Sequence, residues 1–128
     1  MKVLFDTSAF LIAHADAARL GDHVRLLEDP ETVRLVSAVV GWEIAIKHAL
    51  GKLELPSSPD HWVLDMVEQG AMTPLPIEMS HTLAVGRLPD VHRDPFDRLL
   101  VATAQVLGVP IITSDPIFER YDVDVLRI

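Results

Sequence analysis

The sequence predicts an α/β fold, a parallel sheet with helices over both faces. Three observations predict it. Short apolar runs alternate with longer stretches of helical character. The runs are continuously apolar, as strands buried on both faces are, rather than alternating apolar with polar. Turn residues are spread along the chain without linker, repeat or low-complexity tract, so residues 1–128 are read as one domain.

Lys2–Phe5 is the first strand and ends at Asp6. Thr7 or Ser8 is expected to cap a helix running to about His14. Asp22 opens a second helical stretch to about Glu28, and residues 33–36 form the second strand. Ser37 caps the next helix, which runs to Leu50, with Gly51 where a C-terminal cap belongs. A helix starts near Ser58, with Pro59 at its first position. Residues 72–77 read as a weak strand, and Pro74 and Pro76 place it at a sheet edge. Residues 78–87 read as a helix. Asp94 and Pro95 start another that runs to Leu107 and closes at Gly108. Residues 109–113 form a buried strand, and residues 123–126 a last one.

Composition narrows the chemistry. The chain has no Cys, which removes disulfides, thiol nucleophiles and zinc–thiolate sites. Eleven Lys and Arg against nineteen Asp and Glu leave a net charge of −8, which disfavours a general nucleic-acid-coating role. Nucleic acid remains accessible to such a protein where cations bridge the two. The longest uncharged run, residues 99–114, is 16 residues long and contains Gly108 and Pro110, so no membrane span is expected. Asp6 interrupts any N-terminal apolar leader, and the expected setting is soluble and cytoplasmic.

The acids fall where such a sheet binds ligands. Asp6 follows the first strand, and Asp115 closely follows the strand ending at Thr113. Glu43 lies in the second turn of the helix after the second strand, and Asp94 and Asp97 open the helix before the Asp115 strand. In open parallel sheets the ligand crevice lies at the carboxyl ends of the strands. Two unit charges about 4 Å apart repel by about 4 kcal/mol at an effective dielectric constant near 20, so converging carboxylates call for a divalent cation. All-oxygen donors favour Mg²⁺ or Mn²⁺. Each acid also has a local structural reading. Asp6 serves a strand-to-helix turn, Asp94 and Asp115 cap helices, and Glu43 pairs with Lys47 one turn on. The six histidines form no close ligand pair and are read as surface or packing residues.

Several blocks together resemble the PIN-domain ribonucleases, and among them the VapC-type toxins of toxin–antitoxin pairs. They are Phe5-Asp6-Thr7-Ser8, Trp42-Glu43-Ile44-Ala45-Ile46-Lys47, Gly51-Lys52-Leu53-Glu54-Leu55-Pro56, Asp94-Pro95-Phe96-Asp97-Arg98 and Ile112-Thr113-Ser114-Asp115. The resemblance implies a three-layer α/β/α sandwich with four or five parallel strands. It implies an endoribonuclease that hydrolyses RNA phosphodiesters with Mg²⁺, for which Mn²⁺ can substitute. Asp6, Glu43, Asp97 and Asp115 carry over as its catalytic, metal-binding quartet, with Asp94 as an additional acid and Thr113 as a supporting hydroxyl. A small VapB-like antitoxin lying across the groove and a homodimer are implied as partners. Lys47, Lys52, Arg93, Arg98 and Arg120 are candidates to hold phosphates. Two other readings compete. An aspartyl-phosphate phosphatase would want a second Asp two residues after Asp6, where this chain has Ser8. A non-enzymatic RNA- or protein-binding module of the same fold would not need all four acids.

Overall fold

The computed structural model describes all 128 residues. Five parallel strands, β1 (Lys2–Phe5), β2 (Val33–Ser37), β3 (Thr73–Leu75), β4 (Ile111–Thr113) and β5 (Val125–Arg127), form one sheet in the order β3-β2-β1-β4-β5. Six α-helices accompany them: α1 (Thr7–Ala15), α2 (Val24–Glu28), α3 (Ala38–Ala49), α4 (Pro59–Gln69), α5 (Met79–Ala84) and α6 (Pro95–Leu107). The expected parallel α/β architecture is present, with five strands. None of the helices is long and apolar enough to cross a membrane.

The continuous apolar strands are explained by two cores. Leu4 of β1 and Ile111 of β4 pack with Val39, Val40 and Ile44 of α3 and with the buried face of α6. Val3, Phe5 and Ile112, one residue out of phase, pack with Ala9 and Ile12 of α1, and with Leu20 and Leu27. Successive side chains of a strand point to opposite faces, so a strand covered on both needs apolar residues throughout. Fully burying each such side chain contributes about 1.5–3 kcal/mol. β3 is an edge strand, where the missing N–H of Pro74 is tolerated.

Besides strands shorter than expected at Thr73–Leu75 and Ile111–Thr113, four element boundaries differ from expectation. Asp6, not Thr7 or Ser8, caps α1, because its side chain accepts from Ala9 N and Thr7 is already helical. The stretch expected from Asp22 to Glu28 is a 3-10 segment, Ala17–His23, followed by the short α2; Gly21 at φ +58° interrupts a continuous helix. The helix expected over 78–87 ends at Ala84 and tightens into a 3-10 turn, Val85–Arg87. The last strand is displaced to Val125–Arg127. Elsewhere the caps follow the residues expected. Ser37 accepts from Val39 N, Asp94 from Phe96 N and Asp97 N, and Gly108 closes α6 at φ +66°.

β1 and β4 are neighbours, and the chain leaves them in opposite directions across the sheet, toward β2 and β5. Their carboxyl ends are therefore the switch point at which an open parallel sheet forms its crevice.

Candidate active site

Asp6 leaves β1 at that switch point, and Asp115 lies just beyond β4. Glu43 reaches the same place from the second turn of α3, and Asp94 and Asp97 from the first turn of α6. All five line one cavity of about 370 Å³, together with Thr7, Ser8, Leu11, Leu53 and two lysines, Lys47 and Lys52. α6 starts at this edge, which places Asp97 in the cavity.

The acids are held very differently. Asp6 is 3% exposed. Its Oδ1 accepts from Ala9 N and from Ser8 Oγ, both at 2.8 Å, and its Oδ2 accepts from Thr113 Oγ1 at 2.5 Å. Burial raises its carboxyl above the usual range; those three hydrogen bonds oppose the rise and the charge of Glu43 adds to it. Glu43 is also buried. Its Oε1 accepts from Thr7 Oγ1 at 2.6 Å and its Oε2 is ion-paired with Lys47, so the pair anticipated one turn apart on α3 is formed inside the cavity. The Glu43 hydrogen bond holds the Lys47 ammonium above its ordinary pKa, with Asp94 and Asp97 adding to the effect.

Asp97 is half-buried at the third position of α6. Burial pushes it up to about 6, the His92 hydrogen bond opposes this, and Asp94 and Glu43 raise it further. Asp94 spends its Oδ1 on the helix cap. Asp115 is exposed, its Oδ1 accepts from Ile117 N, and it caps the 3-10 turn Pro116–Arg120. Thr113 ties two acids together, donating to Asp6 and accepting from Asp115 N at 2.9 Å.

The donor set is all oxygen, and five carboxylates face two lysines. That excess of negative charge, and the raised carboxyls of Asp6 and Asp97, fit a hard divalent cation. The acids are not closed around one point, however. No three acidic or histidine side chains stand as a ready ligand set. Glu43 in particular has both oxygens engaged.

Several side chains carry weight that the sequence did not reveal. His92 Nε2 lies 3.1 Å from Asp97 Oδ2, so this histidine departs from the surface or packing role expected of all six. Ser8 Oγ accepts from Ser114 N at 3.2 Å and Ser114 Oγ at 3.0 Å, clipping the start of α1 to the end of β4. Ser8 thus supports Asp6 from the position where a phosphatase would carry its general acid. Of the five cations considered for phosphate, Lys47 and Lys52 line the cavity while Arg93 and Arg120 do not. Arg98 is committed to Pro89 O, His92 O and Tyr121 OH. Trp42 is 48% exposed and packs edge-on against Phe96; Ile46 is likewise exposed, so α3 is buried along one side only.

Comparison with known proteins bears on the family and the fold. The model of the PIN domain family matches residues 3–124. Ribonuclease VapC16 of Mycobacterium tuberculosis (strain ATCC 25618 / H37Rv) is 35% identical over 57 residues, 44% of this chain and 40% of that relative. The matched segment therefore spans less than half the relative's length. VapBC2 from Rickettsia felis, solved bound to a DNA fragment from its promoter, superposes with a TM-score of 0.73 at 15% identity, covering 98% of this chain and 97% of that one. DNA-bound VapBC from Salmonella typhimurium superposes with a TM-score of 0.69 at 16% identity, covering 98% and 96%. At these identities the superpositions speak for the fold alone.

Proposed function

This chain belongs to the PIN domain family, and from that premise we propose that it is a metal-dependent endoribonuclease, the toxin of a VapBC-type pair. The observation that carries the reading is the convergence of Asp6, Glu43, Asp94, Asp97 and Asp115 on one cavity at the β1/β4 switch point, with Lys47 and Lys52 as its cations. The ribonuclease relative and the VapBC complexes of the same fold support it. Ribonucleases of this family are metal-dependent as a class, and the all-oxygen donors favour Mg²⁺, with Mn²⁺ as a substitute.

In this reading Asp6, Asp97 and Asp115 would hold the cation, and Glu43, once released by Lys47, would serve the attacking water or complete a second metal site. The bound ion would supply Lewis acidity and offset charge developing on the scissile phosphate. The protein supplies orientation. Asp6 is fixed through both oxygens by Ser8, Ala9 and Thr113, so it keeps its place without a ligand. With one oxygen fixed by Thr7, Glu43 is the carboxylate placed to orient the attacking water once Lys47 releases the other. Lys47 and Lys52 are the side chains available to a phosphodiester entering an otherwise anionic pocket.

The partner proposed is a VapB-like antitoxin that presents Arg to this groove, since an Arg fork pairs bidentately with carboxylates. Equal antitoxin binding by a variant with all four quartet acids changed to amides would contradict that route. A homodimer belongs to the same proposal. Trp42 and Ile46 on α3, with Leu50 just past its end, supply exposed apolar surface for it.

The activity is tested by incubating structured RNA with the protein and Mg²⁺, with EDTA in place of Mg²⁺, and with Asp6→Asn. Cleavage is expected only in the first. Equal cleavage in EDTA or by Asp6→Asn would overturn the proposal, and release of phosphate from a phosphomonoester would favour a phosphatase instead.

A further inference from the structure

His92 lies in the loop before α6, outside every block that carried the family resemblance. Its two ring nitrogens have separate partners. Nε2 is 3.1 Å from Asp97 Oδ2, and Nδ1 is 2.6 Å from the hydroxyl of Tyr121. Tyr121 is buried in the larger core, and its ring meets the imidazole edge-on at a centroid distance of 5.5 Å. Arg98, one residue past Asp97, donates from Nη1 to that hydroxyl at 3.1 Å, to Pro89 O at 2.8 Å and to His92 O at 3.3 Å.

What each group can donate and accept favours one polarity for this chain. A guanidinium only donates. The Tyr121 oxygen therefore accepts from Arg98, and its own proton is available to Nδ1 of a neutral His92 ring. The ring's single hydrogen then sits on Nε2, facing an ionised Asp97. We propose that His92 is a positioning residue. The donor chain Arg98–Tyr121–His92 fixes the imidazole tautomer, pins Oδ2 of Asp97 and presents its other oxygen to the cavity. Carboxylates that ligate a metal are commonly hydrogen-bonded in turn by outer partners that orient them. The inference rests on Asp97 being a cation ligand, as proposed above.

Two measurements test it. The first is Mn²⁺ uptake by calorimetry, alongside RNA cleavage, for wild type, His92→Leu, His92→Gln and Tyr121→Phe, each checked for folding by circular dichroism. His92→Leu is expected to lose about 10–100-fold in Mn²⁺ affinity. Its kcat should fall with little change in KM for RNA. His92→Gln keeps an N–H donor at the Nε2 position and should stay close to wild type, and Tyr121→Phe should fall between the two. Wild-type affinity in folded His92→Leu, or a His92→Gln as impaired as His92→Leu, would overturn the inference. The second is the ¹⁵N spectrum of the metal-free protein at neutral pH, with the His92 signals identified by their loss in His92→Gln. An Nε2-protonated ring is expected, and an Nδ1-protonated ring would overturn the donor chain. Absence of Mn²⁺ uptake by wild type would count instead against the nuclease reading, while the tautomer spectrum still decides the chain.

Discussion

The two ends of α1 each hold a titratable side chain out of water, and they do so for different reasons. Asp6 caps the N-terminus and faces the acidic cavity. His14, in the last turn, faces a larger cavity of about 550 Å³ lined mainly by apolar side chains such as Phe5, Leu20, Leu27 and Met66. Burial shifts both toward their neutral forms, raising Asp6 and lowering His14. At His14 burial is the whole cause. At Asp6, and more so at Asp97, like charges push the same way, and hydrogen-bond donors have been recruited to oppose them. A buried imidazole among apolar side chains needs no explanation beyond packing. Carboxylates gathered against their own repulsion do, and cavity size ranks the two ends in the wrong order.

The largest effect expected from that difference is on catalysis. Removing a partner behind a metal ligand commonly costs 10–100-fold, so loss of a ligand itself, in Asp6→Asn or Asp97→Asn, should lower RNA cleavage by more than about 100-fold. His14→Phe should leave cleavage at the wild-type rate. If His14→Phe lost activity comparably, measured on the same RNA, the functional division between the ends of α1 would be wrong.

The second effect is on stability, and it has the opposite sign from most active-site damage. Asp97 moves from 3.8 to about 6 on folding. A raised folded pKa contributes stability that is complete below 3.8 and is lost as pH rises through about 6. At neutral pH the charged Asp97 therefore opposes folding by at most about 3 kcal/mol, from roughly two units at 1.36 kcal/mol each. Its 18% side-chain exposure trims that figure. Metal-free Asp97→Asn should consequently melt at or above wild type at neutral pH, and its advantage should vanish near pH 4. A clear drop in its melting temperature at neutral pH would count against a self-repelling pocket.

What the sequence disclosed follows the same division. Strands buried on both faces had to be continuously apolar, so residues 2–5 and 109–113 were readable, and Asp6 and Asp115 could be placed by what preceded them. Glu43 and Lys47 were readable because one helical turn separates them. The start of the stretch read as Asp22–Glu28 was not, because a 3-10 segment, Ala17–His23, runs across Asp22 before α2 begins at Val24. His92 was invisible for a different reason. Its partners are Asp97, five residues on across a loop, and Tyr121, 29 residues on, and no local period links them. Only the packing of the Tyr121 ring into the core brings them together. Asp94 shows the limit of reading caps as alternatives to function, because its carboxylate caps α6 and lines the cavity at once.

Lys47 offers a smaller effect that sharpens the contrast. It is the cation the acidic end carries in place of a metal, and breaking its pair strands a buried Glu43. Lys47→Met should destabilise the metal-free protein by about 1–2 kcal/mol, below the 3–5 typical of fully buried pairs because the lysine is 43% exposed. The same change frees an oxygen of Glu43, so Mn²⁺ should bind more tightly in calorimetry. Weaker Mn²⁺ binding by the folded variant would show that Lys47 does not compete for that carboxylate.

The smallest effect is expected at His14, where burial acts alone. Its Nε2 is buried without a hydrogen-bond partner, and the ring packs edge-on against Phe10 and Trp62. A lowered folded pKa contributes stability that is present above 6.5 and is lost as pH falls through the folded value. That slope is opposite to the one Asp97 imposes over its own range. His14→Phe removes a polar atom that pairs with nothing and keeps the aromatic contacts, so stability at neutral pH should change by no more than about 1 kcal/mol. Below pH 6 the variant should lose less stability than wild type, because it has no proton to take up on unfolding. Denaturant titrations of both proteins at pH 5 and pH 7.5 measure this directly. Parallel losses would mean that the imidazole is already hydrated, and the apolar end of α1 would then be a wet cleft rather than a packed one.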